Sequence, residues 1–179
     1  MTTTLSSKSL NQLQVALADN TTNDEVRDLL DGSKVAHRPV ITVTDATKTL
    51  TAAQSGSLVV LDKNDGIVVT LPEANADNVG WYCDFLIKTT AASAGFSIDG
   101  SRSVDLYYGH VFISQDNLGT AAVKAIQLPN QSSHYKLAIT GATKGWVQGG
   151  YVRVEIAAAN MLVASGTLAG VGTSASPFA

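Results

Sequence analysis

A single cysteine, Cys83, is the only thiol in the sequence. One cysteine cannot close an internal disulfide or build a thiolate zinc site, which excludes a secreted module held together by disulfides. It sits in the apolar run Trp81-Tyr-Cys-Asp-Phe-Leu-Ile87, where a small buried thiol serves packing. Charge is scarce as well: Asp, Glu, Lys and Arg make up 15%, the formal net charge is −3, and no basic block occurs. Binding to nucleic acid rests on clustered Lys and Arg that neutralise phosphates, so no nucleic-acid partner is expected. No uninterrupted apolar run approaches the ~18 residues that cross a bilayer, so no membrane partner is expected either. The opening residues MTTTLSSKSLNQ lack the charged start and apolar stretch of a secretory signal. The chain therefore reads as soluble and made in the cytoplasm.

What is present is a globular composition. Hydrophobic residues account for 45% of 179 residues, enough for one ordinary domain with its own core and a small appendage. Three zones follow from the patterning. Residues 1–35 read as an N-terminal arm of two short helices. Ser9 with Gln12 and Thr22 with Glu25 fit capping boxes, and Leu10, Leu13 and Leu17, then Val26, Leu29 and Leu30, recur at helical spacing. Helices this short need a surface to dock on. Residues 36–158 read as a β domain, with β-branched and aromatic runs at 40–44, 58–62, 67–71, 81–90, 96–98, 104–113, 121–128, 135–140 and 146–156. Tyr151, Arg153 and Glu155 alternate with Val152, Val154 and Ile156, as in a half-buried strand. Turn signals between the runs predict antiparallel pairing, hence a mainly β fold: an antiparallel sandwich or barrel, jelly-roll-like. Residues 159–179, small and uncharged, read as a C-terminal arm that lies over the body or pairs with another subunit.

Groups that carry chemistry do not cluster in the sequence. His37, His110 and His134 stand singly in or beside different strands, with no local pair to start a metal site. Asp62-Lys-Asn64-Asp65-Gly66 has oxygen ligands out of step with a calcium loop and reads as a hairpin turn. Gly141-Ala-Thr-Lys144-Gly145 reads the same way. Asp99 and Asp105 form a conceivable carboxylate pair, but Arg102 between them favours a structural contact. Trp81, Tyr82, Tyr107, Tyr108, Trp146 and Tyr151 lie in or at the ends of strands, as core or rim residues or as part of a sugar-binding groove. No catalytic residues, cofactor or metal are expected, and the chain reads as non-enzymatic.

One stretch resembles a known pattern. Thr49-Leu-Thr-Ala-Ala-Gln-Ser-Gly56, then LVVLDKNDGIVVTLPEA, then Gly80-Trp-Tyr-Cys-Asp-Phe-Leu-Ile-Lys88 is similar to a module of tailed-bacteriophage virion proteins, notably capsid (head) decoration or cement proteins and some fibre proteins. Leu71-Pro72 followed by Gly80 is its most characteristic part: Pro72 ends a strand and Gly80 permits tight re-entry into the next. The resemblance implies a β-rich homotrimer on the outer capsid surface of a virion, bound to the major capsid protein and resisting internal DNA pressure. Leu10, Leu13, Leu17, Val26, Leu29 and Leu30 are then the candidates for capsid or subunit contact. A phage fibre or adhesin component, with a carbohydrate-binding β domain, is the alternative. The sequence has no internal repeat and no long coiled-coil stalk, which favours decoration.

Overall fold

Runs rich in Val, Ile, Tyr and Phe form strands because branched and aromatic side chains pack well on a pleated surface. In this protein each run has one face to bury. The structure, a computed structural model, describes residues 38–92, 94–115, 124–140, 144–171 and 175–179. The expected helical arm at 1–35, and with it Leu10, Leu13, Leu17, Val26, Leu29 and Leu30, lies outside the described residues.

Among the described residues eleven strands follow in order: β1 (Val40–Val43), β2 (Thr47–Thr49), β3 (Leu58–Leu61), β4 (Ile67–Thr70), β5 (Tyr82–Ile87), β6 (Phe96–Asp99), β7 (Leu106–Gln115), β8 (Lys124–Gln127), β9 (Lys136–Ile139), β10 (Val147–Ala158) and β11 (Met161–Gly170). The one-turn 3-10 segments Ala52–Gln54 and Ala76–Asn78 interrupt them. The strands form a seven-stranded sheet, β1-β3-β5-β10-β11-β7-β8, and a four-stranded sheet, β2-β4-β6-β9.

The fold is mainly β, but the expected antiparallel arrangement is corrected. From β1 to β6 the chain alternates between the two sheets, so each return to a sheet runs in the same direction as the strand before it. β1, β3 and β5 therefore pair in parallel, as do β2, β4 and β6, and β11 lies parallel to β7. β5–β10, β10–β11, β7–β8 and β6–β9 are antiparallel. Both sheets are mixed and open, which rules out a closed barrel and an all-antiparallel jelly roll. Asp62–Gly66 is accordingly a crossover from β3 to β4 in the other sheet, not a hairpin. Residues 141–143 of the other expected hairpin turn, 141–145, lie outside the described residues, and the strands on either side, β9 and β10, belong to different sheets.

Residues 161–170 were expected within a separate arm over 159–179. They form β11 instead, paired with β10 on one side and β7 on the other. Its small residues suit that central place. Gly109 of β7, opposite Ala164, has φ +85°, and a Cβ there would lie 2.3 Å from the Ala164 carbonyl oxygen.

One apolar core is shared by the two sheets. The large sheet contributes Cys83, Phe85, Val152, Val154 and Ile156, and the small sheet contributes Ile67, Val69, Phe96, Ile98 and Leu137, all closed to solvent. The alternation read from β10 holds: Val152, Val154 and Ile156 are buried while Tyr151, Arg153 and Glu155 are exposed. The expected role of Gly80 also holds, with φ +86° just before β5 and nothing near enough to crowd a side chain. There the backbone angle alone asks for glycine.

Candidate interaction surface

Residues that alternate with the core positions point outward, and the two sheets present different chemistry. On the small sheet the outward rows are Thr47–Val68–Ser97–Ala138 and Thr49–Thr70–Asp99–Lys136, largely polar. Lys136 reaches Asp99 at 3.1 Å, which raises the lysine pKa from its ordinary value, and the Ser97 hydroxyl donates to Asp99 as well.

On the large sheet one row on the face away from the core crosses every strand: Thr42, Val60, Leu86, Tyr151, Thr167, Phe112 and Ile126, with Val60 buried and Leu86 and Phe112 half-buried. Five of its seven positions are apolar or aromatic. It ends on β8 at Ile126, which is 65% exposed, and Tyr151 near its middle is 39% exposed. The adjacent row begins at Val40, 61% exposed, and passes through Leu58, Asp84, Arg153, Ser165 and His110.

The charge in that second row is neutralised locally. Arg153 donates to both carboxylate oxygens of Asp84, at 2.7 and 2.9 Å, and its guanidinium lies 4.7 Å from the centre of the Tyr82 ring. Asp84 is closed to solvent, and its hydrogen bonds to Arg153 raise the arginine pKa. A bidentate pair of this kind removes a lone charge from the face and fixes the Arg153 stem over Tyr82.

Arg102, Asp105 and Asp62 make contacts that serve the fold. Arg102 donates to the buried Asp105 at 2.8 Å, to the Ala74 carbonyl at 3.1 Å and to Asn160 at 2.8 Å, and it pairs with Glu73 at 2.7 Å. It ties the loop after β4, the loop after β6 and the β10–β11 turn together. Asp99 and Asp105 therefore have separate cations and do not form a carboxylate pair, and the structural Arg102 contact read from the sequence is present. Asp62 accepts from Lys88 and Thr89, which lowers its pKa, while Asp65 accepts from the backbone of Gly66.

His110 stands exposed on β7, and His134 accepts a bond from the Asn130 backbone. His37 lies outside the described residues. Among the described residues no group of three or more His, Cys, Asp or Glu is arranged to hold a metal ion, and no helix is long and apolar enough to cross a membrane. Of the aromatics, Trp81 and Tyr107 belong to the core and Trp146 packs against it. Tyr82, Tyr108 and Tyr151 take outward positions on the large sheet.

Sequence reasoning missed this outward row because its members come from seven separated strands. Each strand shows only one or two apolar residues on its second face, and only the register brings them into line. Comparison with known proteins returns no matching family model, no matching curated protein and no matching solved structure.

Proposed function

We propose that this chain is a non-enzymatic virion structural protein of the capsid decoration type. As a homotrimer it docks on the outer surface of a phage capsid, contacts the major capsid protein and braces neighbouring subunits against internal pressure. It is made in the host cytoplasm and reaches its place on the virion by binding. The observation that supports this reading is the asymmetry of the sheets, one outward face largely polar and the other crossed by an apolar row. A protein that holds other proteins together needs a broad apolar face more than a pocket. Each ~100 Å² of apolar surface covered is worth roughly 2.5 kcal/mol before the costs of association. Three copies acting together turn modest contacts into a tight hold.

Heads lacking the chain should assemble but release DNA at a lower temperature. Purified chain should restore resistance with no added cofactor, nucleotide or metal. Replacing the exposed pair Ile126→Glu and Tyr151→Glu should abolish the rescue, with less than ~1 kcal/mol lost from the stability of the chain itself. Heads equally stable with and without the chain would contradict the reading.

A second reading, a fibre or adhesin component that binds carbohydrate, is favoured by Tyr82, Tyr108 and Tyr151 sharing one face with Arg153 and Glu155. Saturable binding to glycans, with none to heads, would move the function there.

A further inference from the structure

The sequence holds three Asp-Gly pairs, at 31–32, 65–66 and 99–100. The first lies outside the described residues, and the structure treats the other two in opposite ways. A glycine nitrogen has no side chain beside it to obstruct it, so it can attack the carboxyl carbon of the aspartate before it. In a folded chain the attack depends on whether the fold engages those two groups elsewhere.

Asp99-Gly100 is engaged on both sides. The Gly100 N–H donates to the Tyr135 carbonyl at 2.9 Å, and the Asp99 carbonyl accepts from the Leu71 N–H at 2.9 Å. The Asp99 carboxylate pairs with Lys136 at 3.1 Å and accepts from the Ser97 hydroxyl. Asp99 also stands in the ladder between Thr70 and Lys136, and Gly100 is buried. Joining the Gly100 nitrogen to this carboxyl would remove the N–H that serves Tyr135 and the charge that serves Lys136.

Asp65-Gly66 lies in the crossover from β3 to β4, ahead of the ladder. Asp65 is exposed, and the Gly66 N–H donates to Oδ1 of Asp65 itself at 3.1 Å. The carboxyl carbon is one bond from that oxygen, so the two reacting atoms are already neighbours. Packing keeps the second residue a glycine. A Cβ on Gly66 would lie 2.8 Å from the Ala94 Cβ and 3.1 Å from the Ala94 and Gly95 carbonyl oxygens.

We propose that Asp65-Gly66 is a site of spontaneous aspartate isomerisation in the folded chain. The Gly66 nitrogen bonds to Cγ of the protonated Asp65 carboxyl, whose hydroxyl leaves with the amide hydrogen as water, closing a succinimide ring. Water then opens either C–N bond of the ring that runs to a carbonyl of Asp65. One opening restores aspartate, and the other leaves the main chain running through Cβ and Cγ with a free α-carboxylate. This isoaspartyl link adds one carbon to the main chain just before Ile67, which is closed to solvent. Its α-carboxylate is the group that isoaspartyl methyltransferases esterify, so the aged chain is a substrate for that class of enzyme. The inference is independent of what surface the chain binds.

The test incubates the full-length chain at neutral pH for several weeks, folded in one sample and unfolded in urea in another. Isoaspartate is then located in proteolytic fragments by methyltransferase labelling and by electron-transfer fragmentation. In the folded sample position 65 should exceed position 99 by roughly tenfold or more, while in urea the two should accumulate it at similar rates. Asp65→Asn should react faster at the same place, because a neutral amide carbon is attacked more readily than a carboxylate. Asp65→Glu, with one more methylene, should abolish the product there. Isoaspartate at position 99 equal to or above that at 65 in the folded chain overturns the proposal. So does its absence at 65 in a folded sample whose urea counterpart forms it.

Discussion

Tyr107 joins the two sheets through one atom, its hydroxyl bonded to Ile98 of the small sheet from within the core. Burial, and after it the nearby Asp99 charge, raises the Tyr107 pKa well above its ordinary value of 10.0. The folded chain therefore holds this proton more tightly than the unfolded chain does. That contribution to stability is complete below pH ~10 and falls as the pH rises from there toward the folded value. Tyr107→Phe should cost about 1 kcal/mol at pH 8, the usual worth of such a bond. It should also flatten the loss of stability between pH ~9 and ~11, as measured by urea unfolding. A variant with the same alkaline slope as the parent would show that Tyr107 does not carry the effect. At this scale the sequence was partly legible. Arg102 between two aspartates announced an ion pair, and Cys83 in an apolar run announced packing. That Asp84 would meet Arg153 depended on the register of β5 against β10, which no local spacing encodes.

Strands were the most legible feature, and their partners the least. Runs such as LVVL and IVVT declare themselves through branched side chains, yet a turn signal such as Asn64-Asp65-Gly66 says only that the chain reverses. Whether it returns to the same sheet or crosses to the other depends on which face must be covered. The crossovers make the early pairing parallel, contrary to the antiparallel expectation. β2 went unread because Thr-Lys-Thr has no apolar face, and β11 because its Ala, Gly and Ser residues lack strand propensity and gain their place by close approach. Two glycines separate these causes. Gly80→Ala meets only the unfavourable angle and should cost about 1–2 kcal/mol. Gly109→Ala adds a collision with the Ala164 carbonyl and should cost about 3 kcal/mol or more. Equal denaturation midpoints for the two variants would contradict the close approach of β7 and β11.

Across the whole molecule the two outward faces differ in kind, and the proposed role follows from that difference. The polar small sheet is suited to water, while the apolar row of the large sheet gains free energy when another protein covers it. The resemblance in residues 49–88 pointed toward virion proteins before any face was visible, but it could not say which surface would bind. The surface proposed here follows from strand order, which places Tyr151, Phe112 and Ile126 in one line although their positions in the chain are far apart. The most direct measurement is an image reconstruction of phage heads with and without the purified chain. The account predicts added density on the outer surface, in trimers, with the large sheet turned toward the shell and its outward row covered. Density with the small sheet against the shell, or no added density at saturating chain, would contradict it.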